Sequence, residues 1–453
     1  MEYEDFLKSK AVKISKTGFD PLYVSPVLFD FQIALTKWAI KKGRSALWAG
    51  TGLGKTIMQL TWAENVLLKT KKPVLILAPL GVTAQTKLEG KTLLNLDVKI
   101  CESGSDIVDG INITNYQKLH KFDSSVFAGI VMDESSILKN FAGKIRTLIT
   151  DMFRDTEYKL CCSATPSPND YTEIGTHAEF LNVCTRAEML ATYFIHDSGC
   201  TQKWRLKGHA EKEFFKWISR WAVMIEKPSD IGFDDKKMEL PPLNMFEHVV
   251  ESKPQNGEMF VMPARTLNER RQARRGSLDA RCQLAADFNN NSDEIFLNWC
   301  DLNDEGSTLK KMIPASVEVK GADKNSVKEK NMLSFAQGDI KSLITKPKIA
   351  AMGLNLQACH NMCFVGLSDS FEAMYQAIRR CYRFGQKHPV NVHIIISERE
   401  GNVLQNIKNK EANAKLLLQK MVKYVSVSTI EELKKGQLTA PERTQSFIKP
   451  KFI

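Results

Sequence analysis

The sequence predicts an α/β protein with two lobes, each built on a mainly parallel sheet flanked by helices. Three observations support this prediction. The 453 residues, 43% of them hydrophobic, supply enough apolar side chains for two cores. Short apolar runs alternate with amphipathic stretches, which is typical of buried parallel strands joined by helices. Two such series are separated by the pair Pro241-Pro242, which breaks helical structure and begins an extended segment.

The first series predicts a lobe over residues 1–170. Its strands are expected at 46–48, 74–78, 111–114, 130–132 and 160–162, and its helices at 57–68 and 143–153. Residues 171–235 are rich in helix formers and tryptophan, so they are predicted to form a helical connector packed on this lobe. Ligands of such a lobe are expected at the carboxyl ends of its strands.

The second series predicts a lobe over residues 236–400, followed by a C-terminal helix and tail over 401–453. The expected strands are 245–250, 295–299, 316–319, 342–344, 362–365 and 392–396. Residues 403–422 have the pattern of one amphipathic helix, and the polar residues after it are expected to form a tail.

Composition narrows the class of protein. A net charge of +11 favours a polyanionic partner. The ten cysteines lack the paired spacing of a structural zinc site, and Cys359, His360 and Cys363 are better explained as core residues than as metal ligands. No run approaches the ~20 apolar residues of a membrane span. We therefore expect a soluble cytoplasmic protein without a membrane partner.

The most informative motif is a glycine-rich loop between a predicted strand and a predicted helix. It reads Ala49-Gly50-Thr51-Gly52-Leu53-Gly54-Lys55-Thr56. Its glycines let the backbone wind closely around a polyphosphate, while the helix start and Lys55 add positive charge. Thr56 offers a hydroxyl to Mg²⁺. The loop therefore predicts a nucleoside triphosphate site, and an ordinary glycine-rich turn is the alternative because Ala49 replaces the usual first glycine.

A pair of acids ends another predicted strand. Asp133 and Glu134 follow the apolar run at 130–132. Asp133 is expected to hold Mg²⁺, and Glu134 is expected to orient and polarise the attacking water as general base. A surface turn is the alternative, and the phosphate loop earlier in the chain favours the catalytic interpretation.

The second lobe supplies a matching set of cations. Residues 376–386 read Gln-Ala-Ile-Arg-Arg-Cys-Tyr-Arg-Phe-Gly-Gln, which places Arg380 and Arg383 three apart on one helical face. We predict that these two arginines stabilise charge on the γ-phosphate, so that hydrolysis depends on closure of the lobes. A basic solvated helix is the alternative.

The order of these segments resembles helicase superfamily 2, and most closely its Swi/Snf-like branch of DNA translocases. The resemblance covers nearly the whole chain and implies two RecA-like lobes with ATP and Mg²⁺ in the cleft between them. It further implies that Gln32 reads adenine, that Gly353 and Asn355 touch the nucleotide, and that Gln376 helps to couple the lobes. The segment Ser163-Ala164-Thr165, with Asn169 after it, is similar to the element that couples hydrolysis to strand movement.

Two departures bear on the type of nucleic acid. Ser163-Ala164-Thr165 is closer to the version in RNA-directed relatives than to the Thr-Gly-Thr of remodellers, so DNA and RNA both stay open as partners. The chain also lacks the large insertions of eukaryotic remodellers. Its compact length resembles bacterial or phage-encoded members of the superfamily.

The resemblance also implies contacts with the phosphate backbone. In the first lobe these are Pro79, Thr114, Asn115 and Tyr116, and in the second lobe Thr345 and Lys346. A basic stripe at helical spacing is a further candidate, with a solvated helix face as the alternative; it consists of Arg270, Arg271, Arg274 and Arg275.

Together these features predict an ATP-dependent nucleic-acid motor that moves along duplex, forked or branched DNA with little sequence specificity. An RNA-directed helicase is one alternative. A nucleic-acid-binding scaffold that uses ATP only as a switch is the other.

Overall fold

The computed structural model describes residues 17–140, 142–167, 170–197, 200–251, 267–349, 355–368 and 370–437. These residues form two α/β lobes, each with its own sheet of parallel strands. The predicted fold class, two RecA-like lobes with mainly parallel sheets flanked by helices, is confirmed.

The first lobe contains a seven-stranded sheet with strand order 3-4-2-5-6-1-9. In chain order its elements are α1 (Asp30–Lys42), β1 (Arg44–Ala49), α2 (Lys55–Thr70), β2 (Val74–Ala78), α3 (Thr83–Leu94), β3 (Val98–Ile100), β4 (Ile111–Asn115), β5 (Gly129–Asp133), α4 (Lys144–Met152), β6 (Tyr158–Ser163), α5 (Ile174–Phe180), α6 (Arg186–Tyr193), β7 (Phe194–Asp197), β8 (Cys200–Leu206), α7 (Glu211–Ser219) and β9 (Ala222–Ile225).

Both faces of this sheet are covered, as parallel sheets require. Along β1 the side chains alternate between two cores: Ala46 and Trp48 pack in one, and Leu47 and Ala49 pack in the other. Because both cores exclude water, β1 needs apolar residues at successive positions rather than at alternate ones. This explains why the predicted strands of this lobe appeared as continuous apolar runs.

The segment 171–235 differs from its prediction as a helical connector. It does contain α5, α6 and α7, but β7 and β8 form an antiparallel hairpin, and β9 pairs with β1 as the edge strand of the main sheet. The segment is therefore partly β and completes the first sheet. Strand β3 was also not predicted, because only three residues with one exposed side chain mark it.

The second lobe contains a six-stranded sheet with strand order 10-15-14-11-13-12. Its elements, with the C-terminal helix, are β10 (Leu243–Val250), α8 (Leu267–Gly276), α9 (Leu278–Asn290), β11 (Phe296–Trp299), α10 (Asn303–Met312), β12 (Ser316–Glu318), α11 (Asn325–Gln337), β13 (Ser342–Thr345), β14 (Asn361–Phe364), α12 (Phe371–Ile378), β15 (Val390–Ser397) and α13 (Gly401–Gln437).

Helix α13 spans both lobes and extends well beyond the 403–422 predicted for it. Near its start, Val403 and Ile407 pack into the core of the second lobe. Two to three turns later, Leu417 and Met421 pack into a core of the first lobe. The predicted tail after residue 437 lies outside the described residues. Within the described part of the chain, none of the helices combines the length and apolar content that a membrane crossing requires.

Candidate active site between the lobes

The two lobes enclose a cleft of about 710 Å³ at the carboxyl ends of β1 and β5. The phosphate loop and the acid pair line it from the first lobe, and the arginine segment lines it from the second. The predicted residues that line this cleft are Gln32, Thr51, Gly52, Gly54, Lys55, Thr56, Pro79, Asp133, Glu134, Asn355, Gln376, Arg380 and Arg383. The structure thus brings together residues that lie more than 300 positions apart in the sequence.

The phosphate loop requires glycine at two of its positions. Gly52 and Gly54 have φ angles of 90° and 74°, in the left-handed region that favours glycine. At Gly52, a Cβ atom would lie 2.8 Å from the backbone nitrogen of Phe384 in the second lobe. A side chain at this position would therefore collide with the opposite lobe as well as strain the loop.

Lys55 opens helix α2 directly after this loop. Its Nζ donates hydrogen bonds to the carbonyl oxygens of Ala49, at 2.8 Å, and Gly50, at 3.2 Å. Desolvation in the cleft lowers the pKa of Lys55, while the nearby carboxylates of Glu134 and Asp133 raise it. The ammonium group is thus held over the loop, close to the acids of β5.

Gln32 is buried at the start of α1 and forms a hydrogen bond with the phosphate loop. Its Nε2 donates to the carbonyl oxygen of Leu53 at 2.9 Å, and its Oε1 accepts from the backbone N–H of Phe29 at 2.9 Å. A carboxamide has two N–H donors and two lone pairs. One N–H donor and one lone pair of Gln32 are therefore left for a base. This geometry permits the role of Gln32 toward adenine, which stays a prediction.

Asp133 ends strand β5, and its position is fixed from two sides. Gln59 Nε2 donates to Asp133 Oδ1 at 2.8 Å, and Tyr116 Oη donates to the backbone carbonyl of Asp133 at 2.5 Å. Gln59 lies one helical turn after Lys55 on α2, which brings it to the same side of the cleft. Desolvation raises the pKa of Asp133, and Lys55 and Arg380 oppose that rise.

Glu134 has a left-handed backbone, with φ of 61° and ψ of 58°. Such a conformation is uncommon for a residue other than glycine and is concentrated at functional sites. Glu134 Oε1 accepts from Ser163 Oγ at 2.7 Å and from Ser136 Oγ at 3.0 Å. Desolvation also raises the pKa of Glu134. The carboxylate is therefore held in one orientation and made more basic, as a general base requires.

The arginines of the second lobe approach these acids. Desolvation and the neighbouring Arg383 lower the pKa of Arg380 to about 10, whereas Glu134 and Asp133 raise it. The guanidinium therefore stays charged at neutral pH. Arg379, immediately before Arg380 in the sequence, lies over the rings of Tyr375 and Tyr382 at 5.1 Å from each centroid.

The turn that carries Arg383 is held by a buried glutamine. Gln386 Nε2 donates to the carbonyl oxygens of Gln357, Cys359 and Cys381 at 3.1 to 3.3 Å. The backbone N–H of Leu356 donates in turn to the carbonyl oxygen of Arg380 at 3.0 Å. The segment from Asn355 onward thus supports the arginines, while Gly353 lies outside the described residues.

The predicted coupling segment contacts Glu134 directly. Besides bonding Glu134, Ser163 Oγ accepts from the backbone N–H of Thr165 at 3.0 Å. Ala164 and Thr165 also line a second, mostly apolar cavity of about 260 Å³, whose far wall is formed by α12 and α13. The segment therefore lies between the acid site and the second lobe. Asn169 lies outside the described residues.

The donor set fits the Mg²⁺ that the resemblance implies. Thr56 and Asp133 both line the cleft, and a cation there would balance the desolvated carboxylate. Among the described residues, no three His, Cys, Asp or Glu side chains form a cluster able to hold a metal ion. This suits Mg²⁺, which usually takes one or two protein ligands and completes its shell with phosphate oxygens and water.

Several predicted nucleic-acid contacts in the first lobe are wrong. Thr114 is buried, and its hydroxyl donates to the carbonyl oxygen of Cys101 at 2.8 Å. Tyr116 is buried beneath Asp133, and Asn115 caps the turn after β4 by accepting from the N–H of Gln117. Tyr116 therefore supports the acid site, while Thr114 and Asn115 bond within their own lobe. Pro79 lines the cleft between the lobes, and its contact with nucleic acid stays a prediction.

In the second lobe the predicted contact of Thr345 is wrong, whereas Lys346 is only partly buried and its contact stays a prediction. Thr345 is buried, with its hydroxyl bonded to the carbonyl oxygen of Val319 at 3.1 Å, and Lys346 Nζ donates to the carbonyl oxygen of Asp301 at 2.7 Å. Arg274 is buried in ion pairs with Glu400 at 3.0 Å and with Asp301 at 2.5 Å.

The predicted basic stripe is therefore incorrect at Arg274. Arg275 is exposed, as the stripe required. The side chains of Arg270 and Arg271 lie outside the described part of the chain. A role for these three arginines in nucleic-acid binding stays a prediction.

A buried histidine beneath the acid pair was missed by the sequence reasoning. His177 on α5 is fully buried, with Nε2 3.2 Å from Ser135 Oγ and its ring 5.5 Å from that of Trp48. Burial lowers the pKa of His177 to about 4. A single histidine in a helical segment gave no signal of this packing.

The low pKa of His177 predicts that acid destabilises the first lobe. The unfolded state takes up the proton near pH 6.5 and the folded state only near pH 4, so stability is complete above pH 6.5 and falls as the pH drops through this window. At pH 5 the loss should be about 2 kcal/mol. Urea unfolding at pH 7.5 and at pH 5 measures this loss as a difference in the free energy of unfolding. The same comparison in His177→Gln should show about 2 kcal/mol less pH dependence; an unchanged dependence would refute the assignment to His177.

A family model matches part of the second lobe. The family model for the helicase conserved C-terminal domain matches residues 279–385, from α9 through the arginine segment. Over most of its length the chain is similar to putative protein p41 of Acyrthosiphon pisum secondary endosymbiont phage 1. The two are 25% identical over 442 residues, which cover 83% of this chain and 95% of the phage protein.

Two further proteins are similar to this chain, one in the sequence of a short part and one in structure. The replication restart protein PriA of Haemophilus influenzae is 32% identical over 112 residues, which are 24% of this chain and 14% of PriA. Among solved structures, the chain is similar to the SWI2/SNF2 ATPase core of Sulfolobus solfataricus in complex with dsDNA. The identity is 17%, the TM-score is 0.42, and the match covers 93% of this chain and 98% of that one.

The helicase family model covers the arginine segment, and that segment faces the phosphate loop and acid pair of the first lobe across one cleft. Residues 279–385 of the chain are therefore similar to the helicase conserved C-terminal domain.

Proposed function

We propose that this protein is an ATP-dependent nucleic-acid motor of the Swi/Snf-like branch, which couples ATP hydrolysis to movement along DNA. One observation carries the proposal. Lys55, Asp133 and Glu134 from the first lobe line the same cleft as Arg380 and Arg383 from the second. A nucleotide bound there would contact both lobes, so its hydrolysis would change how they are held together.

Each group has a defined part in the proposed reaction. Lys55 and the loop N–H groups bind the phosphates, and Glu134 takes a proton from the attacking water through Oε2, since Oε1 already accepts from two serines. Arg380 and Arg383 stabilise the charge that develops on the transferred phosphoryl group. Mg²⁺, held through Thr56 and Asp133, would neutralise phosphate charge when nucleotide is bound.

DNA is the partner that the observations favour. The net charge of +11 suits a polyanion. A segment of the chain is similar to a replication restart protein, which supports DNA over RNA. The Ser163-Ala164-Thr165 segment, which resembles RNA-directed relatives, supports an RNA helicase as the second candidate. The free thiols among the described residues, with a phage relative, support the cytoplasm of a bacterial or infected cell as the compartment.

Stimulation of ATP hydrolysis by nucleic acid tests this proposal. The steady-state ATPase rate should rise at least about tenfold with duplex or branched DNA, because the nucleic acid stabilises the closed lobes in which the arginines reach the phosphates. Single-stranded DNA and RNA of equal phosphate concentration separate the candidates. A rate that none of these polymers changes would favour the ATP-switched scaffold and would contradict the motor.

A further inference from the structure

A second link between the lobes lies beside the catalytic cleft. Lys139 in the first lobe forms an ion pair with Glu372 in the second. The two side chains are only 34% and 19% exposed, so the pair is partly desolvated. Partial burial strengthens such a pair relative to the fully exposed ion pairs elsewhere on the surface, which contribute little.

The first-lobe partner is tied to the catalytic acid. A short 3₁₀ turn, Ser135–Lys139, begins immediately after Glu134. Within that turn Ser136 Oγ donates to Glu134 Oε1 at 3.0 Å, and Ser135 Oγ lies 3.2 Å from His177 Nε2. The turn is therefore bonded to Glu134 and contacts the buried His177, and Lys139 is its last residue.

The second-lobe partner is tied to the arginines. Glu372 lies in the first turn of α12, where Ser370 caps the helix by accepting from the N–H of Ala373. A carboxylate is favourable at this end of a helix. The same helix continues to Ile378 and leads directly to Arg380. A shift of Glu372 would therefore be passed along one short, rigid element to the arginines.

We infer that the Lys139–Glu372 pair positions the arginines of the second lobe relative to Glu134 and so holds the cleft in its catalytic arrangement. Both residues act through others, although Glu372 itself lines the cleft. The inference rests on the proposed ATPase function, which it extends by naming the contact that sets the distance between the two halves of the site.

A double-mutant cycle tests this inference. Lys139→Met and Glu372→Gln remove one charge each without placing a new charge in the cleft. Each should weaken the binding of a fluorescent non-hydrolysable ATP analogue and lower kcat by about fivefold. In the double variant the loss should stay near fivefold, because the second substitution removes a pair that is already broken. Losses that multiply to about 25-fold would show that the residues act independently and would overturn the inference.

A matched control pair lies within the second lobe. Lys408 Nζ is 2.6 Å from Glu247 Oε1, with 48% and 40% of the side chains exposed. Lys408→Met and Glu247→Gln should leave nucleotide affinity and kcat within about twofold of the parent. Equal losses in this control cycle would mean that charge removal acts through general stability. Thermal midpoints of all variants, measured without nucleotide, also test whether charge removal lowers general stability. They should agree within about 2 °C.

Hydrogen exchange separates failure of the inference from failure of the proposed function. In the nucleotide-free protein, amides in the first turn of α12 should exchange faster in Lys139→Met, in Glu372→Gln and in the double variant, and to the same extent. This holds even if the chain hydrolyses no ATP. Unchanged exchange in Lys139→Met would contradict the positioning role, whereas faster exchange with no ATPase activity would contradict only the motor.

Discussion

Replacing Arg380 with alanine should lower kcat for ATP hydrolysis by about 10³- to 10⁵-fold, which is the contribution of arginine fingers in related phosphoryl-transfer sites. The guanidinium is desolvated near Glu134 and Asp133, so its charge acts with little screening by water. Because it acts mainly on charge that develops during the reaction, ATP affinity should change only a few-fold. Single-turnover hydrolysis and equilibrium binding of a fluorescent ATP analogue separate the two quantities.

Two controls sharpen this result. Arg380→Lys keeps the charge but loses the planar fork, so it should recover only part of the lost rate. Arg154→Ala removes an exposed arginine of the first lobe that pairs with Asp151, and it should leave the rate unchanged. A loss in Arg380→Ala smaller than about tenfold would show that the second lobe does not supply catalytic charge.

Replacing Lys55 with alanine should lower kcat/KM for ATP by at least about 10²- to 10³-fold. Unlike Arg380, Lys55 is part of the loop that binds the phosphates in the ground state, so its loss should also weaken ATP binding. Weak DNA binding should persist, because nothing in the geometry of Lys55 links it to the nucleic acid. Gel-shift or anisotropy measurements with duplex DNA, made beside the ATPase assay, report both properties.

Lys69→Ala is a suitable control, since Lys69 lies in the last turn of the same helix, far from the loop. Full ATPase activity in Lys55→Ala would remove the assignment of residues 49–56 as the phosphate loop. Loss of DNA binding together with ATPase activity would instead indicate that nucleotide and nucleic acid share this surface.

Much of the fold was predictable because its strands are buried on both faces. Runs such as Val74–Ala78 need apolar residues at every position, and such runs are visible without knowledge of the partners. The edge strand Ala222–Ile225 is also buried at every position, but its sequence context concealed it. Its four residues follow an aromatic-rich helix, and only the pairing with β1 identifies them as a strand.

Some residues of the candidate site were predictable from the sequence, and others were not. Lys55, Asp133 and Arg380 were predictable because phosphate chemistry needs those residue types in short local motifs. The predicted helical face of the arginines is wrong, since α12 ends at Ile378 and Arg380 and Arg383 lie in the turns after it. The wrong predictions concern side chains whose partners are remote in sequence. Arg274 has the spacing of a surface stripe, yet Glu400 lies 126 residues away and pairs with it in the core. Lys139 and Glu372 were unseen as a pair for the same reason, since 233 residues separate them.

The central claim is that groups from both lobes converge on a single triphosphate. A crystal structure of the protein with ADP, aluminium fluoride and Mg²⁺ tests it most directly. We expect Lys55 Nζ and the guanidinium groups of Arg380 and Arg383 all to lie within about 3.2 Å of the fluoride or β-phosphate oxygens. Nucleotide bound by the first lobe alone, with both arginines turned to solvent, would contradict it.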